Sequence, residues 1–153
     1  MKSTVLTYGT FDLFHNGHLK LLERLKSLGD QLIVGVSTDE FNAIKGKKTI
    51  IPFKDRIDIV RSIKFVDLAI PETDWDQKSR DIELYDVDIL GMGHDWEGKF
   101  DNLKSICKVV YLPRTEGISS TKIKSSLSSF DKENIKTIKD SMDVIADIIE
   151  RLS

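Results

Sequence analysis

Short apolar runs rich in β-branched residues alternate along this chain with segments of helical period, and this alternation limits the possible folds more than any other feature. Such runs between polar segments are typical of buried parallel strands. We predict strands over residues 5–8, 32–36, 66–70, 87–92 and 109–112. The intervening segments repeat apolar residues every three or four positions, which predicts helices over residues 19–28, 57–63 and 75–85.

Alternating strands and helices indicate βαβ units with right-handed crossovers. We predict an α/β fold, a Rossmann-like open parallel sheet of about five strands with helices on both faces. With 153 residues, the chain is long enough for one domain and too short for two independent ones. We assign this domain to residues 1–130 and a C-terminal amphipathic helical extension to residues 131–153.

Composition excludes several classes of function. Hydrophobic residues make up 40% and charged residues 31% of the chain, and no long apolar run occurs, so we expect no membrane insertion. The first residues lack the apolar stretch of a signal peptide, and the lone Cys107 cannot form an internal disulfide, which together predict a cytoplasmic protein. The 23 Lys and Arg against 25 Asp and Glu give a net charge of −2, so we expect no nucleic acid partner.

Polar stretches follow four of the five predicted strands. They are GTFDLFHNGH (9–18), STDE (37–40) with KGKK (45–48), GHDW (93–96) and RTEGISSTK (114–122). Because ligands bind at the carboxyl ends of parallel strands, we expect these stretches to converge on one crevice. Imidazoles, cations, glycines and hydroxyls ahead of a helix are groups that bind a polyphosphate. The sequence therefore predicts a polyphosphate site.

His15 and His18 lie three residues apart where the first strand leads into a helix. Free backbone N–H groups and the positive end of the helix dipole favour an anion there, and two imidazoles can donate to one phosphate, with Gly17 leaving room for the ligand. A capping or core pair is an alternative. A zinc site with His94 or Cys107 is another, although helical zinc ligands usually lie four residues apart with a glutamate between them.

Other candidate residues also have structural alternatives. Lys45 and Lys47 either close over the ligand as a lid or belong to a solvated charged loop. Arg114 presents a planar guanidinium that matches phosphate oxygens. Ser119 and Ser120 can cap a helix, and such a cap can also bind phosphate.

GTFDLFHNGH resembles the HxGH signature of the nucleotidyltransferase superfamily, and RTEGISSTKIK resembles its second signature, a glycine turn followed by a Ser/Thr-rich helix start. With STDEFN (37–42) and MGHDWEGKFD (92–101) between them, the chain resembles the glycerol-3-phosphate cytidylyltransferases over residues 5–123. The resemblance implies transfer of CMP from CTP to glycerol 3-phosphate, giving CDP-glycerol and pyrophosphate. It also implies a magnesium ion (Mg²⁺) held on the triphosphate rather than by protein ligands, and a product used in teichoic acid or capsule synthesis.

The resemblance and the residue chemistry together assign roles to individual side chains. The catalytic residues would be His15, His18, Lys45, Lys47 and Arg114. The nucleotide would be bound by Gly9, Thr10, Phe11, His15, His18, Asp95, Arg114, Thr115, Ser119 and Ser120. The acceptor would be bound by Asp12, Asp39, Lys45, Arg56 and Lys64. Among these, the Asp95 carboxylate is expected to accept a hydrogen bond from the exocyclic amine of cytosine.

The segment IKFVD (63–67) departs from the usual Ile-Arg-Tyr-Val-Asp of the family, whose arginine is implicated in holding the acceptor phosphate. Lys64 keeps the charge but loses the bidentate fork, and Arg56 and Arg61 could share the task. Alternatives are therefore a cytidylyltransferase for another alcohol phosphate, such as ethanolamine phosphate, or an adenylyltransferase of the same superfamily. A dehydrogenase would need GxGxxG after the first strand, and a nucleotide sensor would release no pyrophosphate.

The resemblance ends beyond residue 125, where a heptad-like stripe begins. Its apolar residues alternate in spacings of three and four. They are Ile135, Ile138, Met142, Ile145, Ile149 and Leu152. Such a helix either packs against its own domain or contacts a second subunit, and we expect a homodimer.

Overall fold

The computed structural model describes residues 2–152, without the side chain of Phe130. Five parallel strands form one sheet in the order β3-β2-β1-β4-β5. The strands are β1 (Thr4–Gly9), β2 (Gln31–Ser37), β3 (Leu68–Glu72), β4 (Ile89–Gly93) and β5 (Lys108–Leu112). The helices are α1 (Asn16–Lys26), α2 (Asp39–Ile44), α3 (Phe53–Ser62), α4 (Gln77–Leu84) and α5 (Ser120–Leu152). The predicted Rossmann-like α/β class is confirmed.

The strand order reverses next to β1, which pairs with β2 on one side and with β4 on the other. Successive β1 side chains enter opposite cores, because neighbouring side chains of a strand point to opposite faces. Val5 packs with Leu22 of α1 and Val60 of α3, whereas Leu6 packs with Ile82 of α4. Helices therefore cover both faces, and the reversal places a crevice at the carboxyl end of β1, as in other open α/β sheets.

Helix α2 is the element that the sequence analysis missed. It has six residues, too few to show a helical period. Its start is nevertheless encoded, because the Thr38 side chain accepts a hydrogen bond from the backbone N–H of Phe41 at 3.1 Å. Residues 45–48, expected as either a lid or a solvated charged loop, follow directly after this helix, and Lys45 is its C-terminal cap residue.

The chain divides into two compact units, one ending at Ile118 and the other beginning at Ser119. The second unit is α5, which runs without interruption across residues 130 and 131. The domain boundary that we placed there stays a prediction. Among the described residues, no helix combines the length and apolar character needed to cross a membrane.

Gly35 in β2 allows the ring of Tyr8 in β1 to lie across the neighbouring strand. A Cβ atom on Gly35 would lie 2.2 Å from the ring carbon Cδ1 of Tyr8, far inside van der Waals contact. Tyr8 is buried, and its ring belongs to the same core as Ile82. The glycine therefore sets where the Tyr8 ring can lie.

We expect Gly35→Ala to lower the free energy of unfolding by about 1–3 kcal/mol, because either the ring or the strand must shift. Gly93→Ala is the matched control, since an added Cβ there would meet no atom within 4 Å. Denaturant unfolding of both variants measures the difference. Equal stability of the two would contradict this account of Tyr8 packing.

Candidate active site

The loop after β1 is fastened by the carboxylate of Asp12. This buried side chain accepts hydrogen bonds from the backbone N–H groups of Ile50 and Ile51, both at 2.9 Å, and from that of Leu13 at 3.1 Å. Asp12 thereby joins the loop after β1 to the segment that precedes α3. The expected contact of Asp12 with the acceptor stays a prediction, whereas its structural role is visible.

His15 and His18 cap helix α1 reciprocally. The Nδ1 atom of His15 accepts from the backbone N–H of Gly17 at 3.0 Å, and Nδ1 of His18 accepts from the backbone N–H of His15 at 3.2 Å. The two rings stack with centroids 3.8 Å apart. A capping box is usually made with Ser or Thr and Glu, and here two imidazoles form it. The capping alternative therefore describes real contacts of this pair.

The capping hydrogen bonds determine which ring nitrogens face a ligand. Because Nδ1 accepts in both rings, the neutral imidazoles carry their hydrogen on Nε2. Burial lowers the pKa of His15, and burial together with the neighbouring His15 lowers the pKa of His18 to about 4. Within residues 2–152, the buried Nε2 atom of His15 has no hydrogen-bond partner. Capping and phosphate binding are thus compatible, since they use opposite sides of the ring.

Aromatic side chains hold His18 in place. The ring of Phe11 meets it edge to face at 5.4 Å between centroids, and Phe14 lies 5.3 Å from it. Phe11 is buried and adopts a positive φ of 54°. Such a conformation is uncommon for a bulky residue and marks a constrained turn. Phe11 therefore acts on the site by packing, and its predicted contact with the nucleotide stays untested.

The expected role of Gly17 needs correction. We expected Gly17 to leave room for a ligand, but an added Cβ would lie 2.7 Å from Cε1 of His15. The missing side chain makes room for the ring of His15 itself. Gly9 similarly accommodates Phe11, whose ring would lie 2.7 Å from a Cβ there.

The loop after β5 lies beside the start of α1. The Arg24 guanidinium of α1 donates to the carbonyl of Pro113 at 2.9 Å, and a methyl group of Ile118 would lie 3.3 Å from a Cβ on Gly17. Exposed Arg114 and partly exposed Thr115 stand in this loop. The structure thus brings the start of the second signature next to the first, as their positions after β1 and β5 predict.

Ser119 and Ser120 belong to the second unit of the chain. The hydroxyl of Ser119 accepts a hydrogen bond from the backbone N–H of Lys122 at 3.1 Å, which is N-capping geometry. Their contacts with a nucleotide stay predictions.

A pocket lined by three lysines and one carboxylate lies beside the loop after β1. Its lining consists of Tyr8, Gly9, Thr10, Ser37, Lys45, Lys47, Glu72, Trp75, Lys78, Met92, Trp96 and Phe100. The side chains of Lys45, Lys78 and Glu72 are only 7%, 5% and 4% exposed. Lys45 Nζ lies 3.7 Å and Lys78 Nζ 3.8 Å from oxygens of Glu72, and Lys45 also donates to Ser37 Oγ at 3.0 Å.

The charges in this pocket do not balance. Two ammonium groups share one carboxylate, and the Oε2 atom of Glu72 has no hydrogen-bond partner among the described residues. Burial lowers the pKa of Lys45 and of Lys78, and raises that of Glu72, while the opposite charges counteract each shift. An excess positive charge in a desolvated pocket favours an anionic ligand. The Lys45 side chain is therefore buried, so the alternative of a solvated Lys45 is wrong, whereas closure over a ligand stays a prediction.

Lys78 and Glu72 escaped the sequence analysis, although a signal was present. Glu72 ends β3 and Lys78 follows it in α4. No polar stretch was considered after this strand. Lys78 is held over the ring of Tyr8, 4.4 Å from its centroid, and the Tyr8 hydroxyl donates to Asp81 of α4 at 2.6 Å. Gln77 also donates to Asp81, at 2.9 Å. Applying the rule of strand ends to β3 would have identified this lysine.

Arg56 does not face the pocket, contrary to its predicted role in binding the acceptor. Its side chain is fully buried, and it donates to the carbonyls of Ile51 and Thr10 at 2.9 and 2.6 Å and to the carboxylate of Asp39 at 2.8 Å. These contacts engage the guanidinium nitrogens in hydrogen bonds inside the protein. Arg56 thus positions the backbone of Thr10 and the side chain of Asp39 rather than contacting a ligand.

Lys64 lies at the wrong edge of the sheet for its predicted role. It is exposed and precedes β3, close to Asp67, whose backbone N–H donates to Leu32 at the amino-terminal part of β2. Parallel strands end at the opposite edge, where the lysine pocket lies. Within one chain, Lys64 therefore cannot reach the pocket, and the prediction is wrong in that respect.

The remaining candidates lie around the carboxyl edge. Lys47 is exposed, with Nζ 5.7 Å from the Trp96 ring centroid, and partly exposed Asp39 lies beside it along a second depression. The hydrogen bond from the backbone N–H of Phe53 lowers the pKa of Asp39. Asp95 is exposed in the short 3-10 helix after β4. The ligand contacts of Lys47, Asp39 and Asp95 stay predictions.

The zinc alternative finds no support in the described residues. They contain no group of three or more His, Cys, Asp or Glu side chains placed to hold a metal ion. His94 pairs instead with Glu97 at 3.3 Å, and Cys107 is a partly buried free thiol beside the Leu103 carbonyl.

Comparison with known proteins gives a consistent family match. The model of the cytidylyltransferase-like family matches residues 6–126. The glycerol-3-phosphate cytidylyltransferase of Staphylococcus aureus (strain NCTC 8325 / PS 47) is 57% identical over 127 residues, 83% of this chain and 96% of that protein. The Bacillus subtilis (strain 168) protein of the same name is 58% identical over 124 residues, 81% of this chain and 96% of its own length. A lipopolysaccharide core biosynthesis protein from Thermoplasma volcanium GSS1 superposes with a TM-score of 0.67 at 28% identity, covering 76% of this chain and 100% of that one.

The lowered pKa of His18 makes stability depend on pH. Between its ordinary value of 6.5 and about 4, the unfolded chain binds a proton that the folded chain does not. We expect the free energy of unfolding to fall as the pH is lowered through this window, with His18 contributing at most about 3 kcal/mol. Denaturant unfolding across this range measures the slope.

His18→Asn keeps an oxygen that can accept the capping hydrogen bond but cannot titrate, so its pH slope should be flatter than that of the unmodified protein. His94→Asn, at an exposed position, is the matched control and should keep the original slope. A His18→Asn protein with an unchanged slope would show that His18 does not resist protonation.

Proposed function

The chain belongs to the cytidylyltransferase-like family, and on this premise we propose that it transfers CMP from CTP to glycerol 3-phosphate. A phosphate oxygen of the acceptor bonds to the α-phosphorus of CTP. The bond from that phosphorus to the oxygen bridging to the β-phosphate breaks, and pyrophosphate leaves with its electron pair. The products are CDP-glycerol and pyrophosphate.

This reaction matches the kinds of side chain at the carboxyl edge. A phosphate monoester has a second pKa of about 6, so the acceptor is largely a dianion at neutral pH and needs no general base. The protein must instead bring two anions together and stabilise charge on the phosphorus as it becomes five-coordinate. Cations and oriented hydrogen-bond donors perform these tasks.

The lysine pocket supports a site for the acceptor phosphate. Lys45 and Lys78 carry more charge than Glu72 neutralises, and Gly9 and Thr10 of the loop after β1 line the same pocket. A dianionic phosphate would neutralise the one excess positive charge there and leave a single negative charge for exposed cations to offset. Trp75 and Trp96 form apolar parts of the lining, which suits the carbon chain of a small alcohol phosphate.

The paired histidines carry the proposed catalysis. Their capping bonds leave Nε2–H as the donor in each ring, and the Nε2 atom of His15 is buried without a partner among residues 2–152. This single observation supports a ligand oxygen at that position, because buried donors rarely stay unpaired. We assign the α-phosphate oxygen to these donors, with Arg114 and Lys47 supplying charge to the remaining phosphates.

The proposed magnesium ion is held by the phosphates of CTP and by water. Magnesium is commonly bound through substrate phosphates and water, and the described residues contain no cluster of carboxylates placed to ligate it. A magnesium ion carried by CTP is compatible with this edge, where it would partly neutralise the triphosphate. No protein residue is assigned as its ligand.

Several further features are part of the proposal. Asp95 reads the cytosine amine, which would favour CTP over ATP. The protein acts in the cytoplasm as a homodimer, and its product supplies an activated glycerol phosphate for teichoic acid or capsule synthesis. An ethanolamine phosphate or adenylyl activity is the competing assignment.

The decisive experiment identifies the product. The purified protein is incubated with magnesium, each of the four common nucleoside triphosphates and a panel of alcohol phosphates, and products are identified by mass. We expect CDP-glycerol and pyrophosphate from CTP and glycerol 3-phosphate. Efficient use of ATP would refute the nucleotide assignment, and preference for another alcohol phosphate would refute the acceptor assignment.

We expect His15→Ala and His18→Ala each to lower turnover by about two to three powers of ten, because each removes a donor to developing charge. Alanine also removes a capping bond, so stability is measured alongside turnover. His15→Asn separates the effects, since its side-chain oxygen can accept from Gly17 while no donor reaches the position of Nε2. The His15→Asn protein should keep the stability of the unmodified protein but have a low turnover. Near-normal turnover would contradict the catalytic assignment.

We expect Lys78→Met to raise the KM for glycerol 3-phosphate roughly 10- to 100-fold, since a charge-assisted contact to phosphate is lost. The KM for CTP should change much less. Lys104→Met is the matched control, because Lys104 is an exposed lysine that pairs with Asp101 away from the pocket lining. Equal effects on both KM values would show that Lys78 does not hold the acceptor.

A further inference from the structure

Helix α5 extends beyond the region shared with the family, since the family match ends at residue 126 and the helix ends at Leu152. Its last part carries eight apolar side chains that are each more than half exposed. Two are Val144 and Ile148, and the six that form the stripe are Ile135, Ile138, Met142, Ile145, Ile149 and Leu152. Their spacing of three and four residues places them at the a and d positions of consecutive heptads, on one face of the helix.

Charge divides the same helix into two halves of opposite sign. Residues 122–139 contain five lysines and two acidic residues, a net charge of 5 − 2 = +3. Residues 140–152 contain four acidic residues and one arginine, a net charge of 1 − 4 = −3. A second copy of the helix running in the opposite direction therefore meets this one with complementary charge along its whole length.

We propose that two copies of this chain pair through an antiparallel coiled coil formed by residues 135–152. In this register Ile138 packs against Ile149 of the second copy, and Met142 packs against Ile145 of the second copy. Lys136 and Glu150 of the second copy, both at b positions, then lie on the same outer side of the pair. The spacing of 3.5 residues winds the pair into a left-handed supercoil.

The observations favour this partner over two others. A parallel pair would place the lysine-rich halves together and the acidic halves together, which is unfavourable. An anionic membrane surface would meet four acidic side chains between residues 140 and 150, whereas helices that bind such surfaces carry a basic polar face. The pairing concerns assembly alone, so its failure would leave the proposed chemistry untouched.

Disulfide trapping tests the orientation. In a Cys107→Ser background, full-length Ile138→Cys protein is mixed with full-length Ile149→Cys protein in a glutathione redox buffer, and the disulfides are identified by mass. We expect the mixed 138–149 disulfide to dominate. Dominant 138–138 and 149–149 disulfides would overturn the antiparallel arrangement, and the absence of any disulfide would overturn pairing altogether.

Charge reversal tests whether complementary charge favours the antiparallel pairing. Lys136→Glu with Lys139→Glu should reduce the mixed disulfide roughly tenfold, because like charges then face each other along the seam. Adding Asp143→Lys and Glu150→Lys in the same chain restores complementarity and should restore the disulfide, while turnover stays at the original level in every variant. Failure of the fourfold variant to recover, or binding of the unmodified protein to phosphatidylserine vesicles without self-pairing, would overturn the proposal.

Discussion

The reciprocal capping of His15 and His18 is the constraint on which both the start of α1 and the chemistry of the site depend. Each Nδ1 atom accepts a backbone N–H, which satisfies donors that a helix start would otherwise leave free. The same bonds fix the tautomer, so each neutral ring directs Nε2–H away from the helix. Capping uses Nδ1 and the proposed phosphate contact uses Nε2 of the same ring, so neither role excludes the other.

The charged side chains at the carboxyl edge of the sheet fall into a buried set and an exposed set. Glu72 holds two buried ammonium groups in the pocket and neutralises one of them. A dianionic phosphate placed there would exceed the remaining charge, which is consistent with the proposed contribution of exposed Lys47 and Arg114. Buried lysines thus prepare the acceptor position, whereas exposed cations can adapt to the triphosphate as it is converted to pyrophosphate.

The sequence predicted features that depend on repeated pattern or on position relative to a strand. It predicted the parallel sheet, the helices on both faces and the meeting of GTFDLFHNGH with RTEGI, because strand ends share an edge. Prediction from the sequence failed where the position of a charged side chain depends on tertiary contacts. Arg56 and Lys64 were both assigned to the acceptor, yet one is fully buried among carbonyls and the other is exposed at the far edge. Lys78 was missed because no polar stretch after β3 was considered, although its burial over Tyr8 depends on tertiary packing.

Three carboxylates at this edge are engaged in structural contacts with other described residues. Asp12 accepts three backbone N–H groups, and Asp39 accepts from Arg56 and from the backbone of Phe53. These acids organise loops, and Glu72 is committed to two lysines. Neutral histidines add no net charge to the ground state, but their fixed donors gain strength as negative charge grows on the phosphorus oxygens. For an acceptor that is already ionised, this arrangement therefore favours catalysis by oriented hydrogen-bond donors over catalysis by proton transfer.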